Sequence, residues 1–306
     1  MDYIYILCGL VGLLFGGEAL VRGSVGIARR LAISPLLIGL TVVGFGTSTP
    51  ELLVSVDAAW RGVPDIALGN VVGSNIANIL LIAGLTALVW PIRVTGATLR
   101  RDTCVMVLAA IALVPIFATA QMGRLSGAVL VTALVGYLVW AYRQPGDTVA
   151  QDVDVPAPGS ALAAILSVLG GLVALMLGAR FLVDGAVAVA RDHGISEAFI
   201  GLTIVAVGTS LPELATSVIS ALRRQSEIAI GNIIGSNIFN ILGILGLTAV
   251  ISPIPVASRF LTFDLPVMIA ASLVLTVLLL SRPVVGRWSG LAMFAGYVAY
   301  VWTAQG

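Results

Sequence analysis

Lysine is absent from this chain of 306 residues, histidine occurs once and cysteine twice, and only 10% of the residues are charged. Each shortage removes a class of explanation. An ordinary soluble domain carries about a quarter of its residues as charged side chains. A chain with 59% hydrophobic residues and a mean hydropathy of +1.08 cannot cover its apolar surface in water. His193 is solitary, and Cys8 and Cys104 stand apart in apolar runs, so no transition-metal ligand set and no disulfide framework can be drawn. The two cysteines are expected as small buried hydrophobes. Neither an HExxH nor a GxSxG pattern occurs, and no nucleophile–base pair is visible, which argues against an enzyme. The formal net charge of +1 supplies no basic surface for nucleic acid. All sixteen basic residues are Arg, which reads as compositional bias and not as chemistry.

What the chain has instead is long apolar runs. A membrane-spanning helix needs about 20 mostly apolar residues. Ten such segments can be drawn, at about 3–29, 34–59, 65–90, 102–120, 125–142, 160–190, 196–221, 227–251, 262–281 and 287–303. The first lacks a basic leading region and is expected to be retained as a helix, not cleaved as a signal. The one clearly polar connection, 144–160, is rich in Asp, Pro and Gly and reads as a linker. The other connections leave no room for a soluble regulatory domain. The expected fold is an all-α polytopic membrane protein with ten transmembrane helices.

A shift of 162 residues aligns two long blocks without a gap. Gly46-Thr47-Ser48-Thr49-Pro50-Glu51 falls on Gly208-Thr209-Ser210-Leu211-Pro212-Glu213, and the ten residues from Gly69 to Asn78 fall on Gly231 to Asn240. The chain therefore divides into a first five-helix repeat (1–143), a linker (144–160) and a second repeat (161–306). Five is odd, so the second repeat enters the membrane from the opposite side. Inverted repeats of this kind place a secondary transporter's site near the membrane midplane. Arg29, Arg30, Arg93, Arg100, Arg101, Arg143, Arg223, Arg224, Arg282 and Arg287 fall on one side; Arg61, Arg124, Arg191 and Arg259 fall on the other. The positive-inside rule makes the ten-Arg side and the linker cytoplasmic, with both termini outside.

Glu51 and Glu213 lie near the middle of the second and seventh segments. An ionised carboxylate at that depth costs at least about 3 kcal/mol on insertion scales, so it marks a functional site unless it stays neutral or pairs with Arg. Thr47, Ser48 and Glu51 are spaced to share one helix face. Pro50 lacks an N–H and clashes with the carbonyl four residues back, freeing backbone oxygens between Gly44 and Thr47; Pro212 does the same between Ala206 and Thr209. Carboxylate, hydroxyl and carbonyl oxygens suit hard cations such as Ca2+ and Na+. Ser74 and Asn78, like Ser236 and Asn240, are spaced i, i+4 and add oxygens on one face. Asn75 and Asn237 point elsewhere, toward packing and capping or toward gating. Glu18 and Arg22 in the first segment match Arg180 and Asp184 in the sixth with the charges reversed; they pair within each helix or cross between the two. Asp57 sits near the end of the second segment, as a solvated helix end or as part of an ion path. His193 lies in a loop and is assigned no role.

The doubled Gly-Thr-Ser-x-Pro-Glu followed by Gly-Ser-Asn-Ile-x-Asn resembles the alpha-repeats of the calcium/cation antiporter superfamily, and most of all its prokaryotic sodium/calcium exchangers. The resemblance extends over nearly the whole chain. It implies alternating-access exchange of Ca2+ against Na+, with the first and sixth segments sliding over an eight-helix core. It also implies a ligand set of Thr47, Ser48, Glu51, Ser74, Asn78, Thr209, Ser210, Glu213, Ser236 and Asn240, joined by the carbonyls of Gly44 and Ala206. One departure stands out: exchangers of this type often have Asp where this chain has Asn240. Coupling to H+ or K+ is the alternative within the same fold, and a channel or membrane-embedded enzyme is the reading outside it. No cofactor is implied. The expected partners are the transported ions and the lipid bilayer of the cell membrane, with no nucleic acid or protein partner.

Overall fold

The computed structural model describes residues 2–93, 96–143, 158–194 and 206–304. Its first half contains α1 (Asp2–Leu31), α2 (Pro35–Thr47), α3 (Thr49–Trp60), α4 (Pro64–Val89), α5 (Ala97–Ala118) and α6 (Arg124–Arg143). The second half contains α7 (Ala161–Asp192), the short α8 (Ala206–Gly208), α9 (Leu211–Leu222), α10 (Ser226–Ile251), α11 (Phe260–Ser281) and α12 (Arg287–Ala304). Seven of these helices (α1, α4, α5, α6, α7, α10 and α11) are long and apolar enough to cross a membrane, and the bent pair α2–α3 makes an eighth. The expected seventh segment, 196–221, falls partly outside the described residues, leaving the short α8 and the 12 residues of α9 as its described helices. The protein is a helical, multi-pass membrane protein.

The 162-residue offset reappears in the element boundaries. Thr49–Trp60 corresponds to Leu211–Leu222 and Pro64–Ile76 to Ser226–Ile238. Midway along α4 and α10 the helix widens into π-helical turns, at Ala77–Ile82 and Phe239–Leu245. Such turns leave the regular ladder and are common at functional sites. They carry Asn78 and Asn240.

Polarity and glycine spacing decide the packing. α4 and α10 are enclosed on nearly all sides, and their buried Ile, Val and Leu residues form the centre of the main core. The halves interlock there: α6 packs on the far end of α10, and α12 packs on the far end of α4. α1 and α7 pack along each other, with α9 on the flank of α1. Glycines at the α1–α7 contact let the backbones approach: a Cβ on Gly178 would meet Leu13 N at 2.7 Å, and one on Gly171 would meet Leu20 N at 2.6 Å. The outer faces carry exposed Leu7, Phe15, Leu166 and Leu169, as a lipid-facing surface requires. Cys8 and Cys104 are also exposed, which corrects the expectation of burial. The physical reason is that apolar runs in a membrane protein point outward as readily as inward.

Connections close the bundle at two ends. Ile92 and Val285 exchange backbone hydrogen bonds of 3.0 and 2.9 Å, and Arg224 lies over the Trp90 ring. At the other end of α11, β1 (Gln121–Met122) pairs with β2 (Ile254–Pro255), and Arg259 donates to the Ala304 carbonyl at 2.9 Å. Two buried aspartates, again 162 residues apart, tie neighbouring helices. Asp102 accepts from Arg101 at 2.5 Å and from Tyr137 at 3.0 Å; Asp264 accepts from Arg259 at 3.3 Å and from Tyr300 at 3.0 Å.

Candidate cation site

The two Gly-Thr-Ser-x-Pro-Glu motifs both break their helices. At Ser48 the backbone leaves helical geometry (φ −81°, ψ 7°) and the chain bends by 45° between α2 and α3. Ser210 repeats the break at φ −89°, ψ 6°. Pro50 and Pro212 then sit in the first turn of α3 and α9, where a missing N–H costs nothing. Glu51 and Glu213 occupy the same first turns, so each carboxylate rests at a helix N-terminus, whose dipole favours negative charge. Each glutamate is only 1% exposed.

The break changes which residues meet. Thr47, Ser48 and Glu51 do not share a continuous helix face, contrary to the spacing argument, because the face ends at Ser48. Instead the motifs cross. Ser48 Oγ donates to Glu213 Oε1 at 3.0 Å, with Thr47 on the same carboxyl. Thr209 and Ser210 flank Glu51, Ser210 Oγ without closing a hydrogen bond.

The Gly44 backbone oxygen already has partners within the protein. Gly44 O accepts the Ser48 N–H at 3.1 Å and the Ser236 hydroxyl at 3.3 Å, so it is engaged. The backbone of Ala206 begins α8; its counterpart position in the first half is Gly44.

The π-turns of α4 and α10 bring the amides in. The turn bearing Asn240 packs against α3, which carries Glu51, and the turn bearing Asn78 packs against α9, which carries Glu213. Asn240 Nδ2 donates to Ser74 Oγ at 3.5 Å, and the Ser74 hydroxyl donates to Asn70 O. Five of the expected ligand oxygens or hydroxyls are buried without a hydrogen-bond partner: Glu51 Oε2, Glu213 Oε2, Asn78 Oδ1, Asn240 Oδ1 and Ser210 Oγ. A buried polar group left unpaired costs about 1–3 kcal/mol, and more when charged. Among the described residues no cluster of three or more His, Cys, Asp or Glu side chains forms. The donors are thus two carboxylates and neutral oxygens, which suits hard cations and not thiophilic ones.

Around this set lie residues whose roles the sequence left open or missed. Asn70 Nδ2 donates to Glu51 O at 3.0 Å and to Ser55 Oγ at 2.8 Å; Asn232 Nδ2 donates to Glu213 O at 3.2 Å and to Ser217 Oγ at 2.9 Å. Their identical positions in the two repeats were the available signal. Asn75 and Asn237 bond the Val71 and Ile233 carbonyls at 2.7 Å, in keeping with packing. Glu18 pairs with Arg22 at 2.6 Å, as an intrahelical pair, and also with Arg223 at 2.8 Å. Arg180 and Asp184 stand 3.7 Å apart. Asp57 is exposed and pairs with Arg61 at 2.8 Å, as a solvated helix end does. His193 caps α7 and lies 2.8 Å from Val189 O.

Residues 1–143 and 163–305 match the family described as sodium/calcium exchanger protein. The sodium/calcium exchanger MaX1 of Methanosarcina acetivorans is 33% identical over 98% of this chain and 97% of its own. The inner membrane protein YrbG of Escherichia coli is 37% identical over 98% of this chain and 95% of its own. A solved structure of the sodium-calcium exchanger NCX_Mj, soaked with zero Na+ and Ca2+, superposes with a TM-score of 0.87 at 33% identity, covering 99% of this chain and 98% of that one. The chain belongs to the sodium/calcium exchanger protein family.

Proposed function

We propose that this protein is a secondary active antiporter that exchanges Ca2+ for Na+ across the cell membrane by alternating access. The observation that carries the reading is the set of buried carboxylate, amide and hydroxyl oxygens without hydrogen-bond partners. Its members come from both halves. Glu51 and Glu213 supply the charge. Thr47, Ser48, Ser74, Asn78, Thr209, Ser210, Ser236 and Asn240, with the Gly44 and Ala206 carbonyls, complete the ligand set. Moving Ca2+ from water into a buried site forfeits the surrounding solvent as well as the first hydration shell, and carboxylate charge offsets that loss where a few neutral oxygens do not. Two Na+ ions bring the same charge as one Ca2+ and use the same oxygens, so occupancy by one excludes the other. That mutual exclusion is the physical basis of exchange.

The architecture in this reading is ten spans arranged as two inverted five-helix repeats, residues 1–143 and 161–306, joined by a cytoplasmic linker at 144–160. The 162-residue correspondence of helix boundaries and the crossing of the two motifs support it. Both termini lie outside.

Reconstituted protein tests the proposal. Uptake of 45Ca2+ into proteoliposomes is expected under an outward Na+ gradient, and not under K+ or pH gradients of equal size. Glu51→Gln and Glu213→Gln preserve side-chain size and remove the charge; each should insert normally and lose at least about 100-fold of the Na+-driven flux, the equivalent of about 2.7 kcal/mol. Near-normal flux in either variant would reject the ligand assignment. Uptake driven by pH in place of Na+ would replace the counter-ion.

A further inference from the structure

Asn232 makes three polar contacts, and their directions leave it one orientation. Its amide has two N–H bonds. One reaches the backbone carbonyl of Glu213 at 3.2 Å and the other the Ser217 hydroxyl at 2.9 Å. With both donors spent, Oδ1 faces Thr47 Oγ1 at 3.1 Å, in the opposite repeat. Asn232 is fully buried, as are Thr47 and Ser217.

Thr47 is equally constrained. The groups within reach of its hydroxyl are Val43 O at 3.0 Å, Asn232 Oδ1 at 3.1 Å and Gly44 O at 3.4 Å. All three are acceptors. The Glu213 carboxyl is a fourth, and the Asn232 oxygen is one of the two nearest acceptors that compete with it for the Thr47 proton.

We propose that Asn232 is a positioning residue for ion binding: it holds the Glu213 turn against α10 and accepts from the Thr47 hydroxyl of the opposite repeat, so that one amide joins the ligands of both repeats. The inference rests on the reading of the site given above. Asn70 holds Glu51 O and Ser55 in the same manner as the first of these tasks. The brace matters because binding groups must be held within about 0.5 Å of their productive geometry. A glutamate on one helix and a Ser–Asn pair on another stay at a fixed separation only if something ties the two backbones.

The test measures the half-saturating Ca2+ concentration and the maximal rate of Na+-driven 45Ca2+ uptake in proteoliposomes, for wild type, Glu213→Gln, Asn232→Ala, Ser217→Ala, Thr47→Val and the double variant Thr47→Val/Asn232→Ala. Asn232→Ala is expected to raise the half-saturating Ca2+ about tenfold, while the maximal rate per correctly inserted molecule stays within about twofold. Ser217→Ala, which removes one of the two anchors, is expected to raise it about threefold and stands in if Asn232→Ala fails to insert. The double variant should be weakened by less than the product of the single changes, because the two side chains act through one contact. An unchanged half-saturating concentration in both Asn232→Ala and Ser217→Ala, or a double variant equal to the product, would overturn the positioning role. Absence of Na+-driven uptake in wild type, or full activity in Glu213→Gln, would instead remove the site reading beneath it.

Discussion

Asn240 sets the charge of the candidate site. With Glu51 and Glu213 both ionised, the site carries −2. One Ca2+ or two Na+ bring that to zero, whereas three Na+ leave an excess of +1. Excess charge in a low-dielectric interior is penalised by several kcal/mol. Asn240 is buried at the α10 π-turn, with Nδ2 toward Ser74 and Oδ1 unpartnered, so it supplies a dipole and no charge. Exchange is therefore expected to be nearly electroneutral, with about two Na+ per Ca2+. Ca2+ flux at a fixed Na+ gradient, with the membrane potential clamped by K+ and valinomycin, should vary little with voltage. Asn240→Asp should make it voltage-dependent. Strong voltage dependence in the wild type would refute the charge argument. At this scale the sequence was highly legible: Glu51, Glu213 and the Ser–Asn pairs stood out because apolar surroundings isolate polar residues. Asn70 and Asn232 did not, because an asparagine beside a glycine has no spacing that reveals its partners.

Helix α10 shows how an element places such residues. Its small residues let α2 lie close enough for Ser236 to reach Gly44. A Cβ on Gly235 would meet Leu40 O at 2.3 Å and Leu40 Cα at 2.6 Å, both backbone atoms that cannot rotate away. Gly235→Ala must push the two helices apart, and overpacking of this kind costs about 1–3 kcal/mol. Its melting temperature in detergent should fall by several degrees and its Ca2+ uptake should drop with it. Gly170→Ala, on the exposed face of α7 with no neighbour within 4 Å among the described residues, is the control; it should melt at or above the wild-type temperature, since Ala favours helix by about 1 kcal/mol over Gly. Equal melting of Gly235→Ala and wild type would show that the approach is not tight. Proline was the legible feature of the elements, and the break at Ser48 follows from Pro50. The consequence was not legible. A helix-face projection assumes an unbroken helix, and the bend of 45° sends Ser48 to the opposite repeat's glutamate instead.

The whole molecule has two ends, one gathering Trp90, Ile92, Arg224 and Val285 and the other Gln121, Pro255, Arg259 and Ala304. In the orientation proposed above, the first end faces the cytoplasm. In a background with Cys8 and Cys104 replaced by Ala, Arg61→Cys and Ser258→Cys should react with an impermeant thiol reagent added outside intact cells. Arg224→Cys and Arg282→Cys should react only after permeabilisation. The reverse pattern would invert the orientation while leaving the fold intact.

The membrane environment, the repeat and the residue types at the site were all determined by sequence alone, because each is a property of composition or of periodicity along the chain. A charge-poor chain must sit in lipid, and a gap-free match of two blocks is visible without coordinates. Tertiary structure decided the rest. It crossed the two motifs, so that Ser48 serves Glu213; it engaged the Gly44 carbonyl with Ser236; it bound Glu18 to Arg223; and it gave Asn232 the Thr47 hydroxyl. These contacts join residues more than 160 positions apart, where local spacing carries no information. They depend on the angle at which broken helices meet, which is set by glycine contacts and buried hydrogen bonds that exist only once the two halves have interlocked.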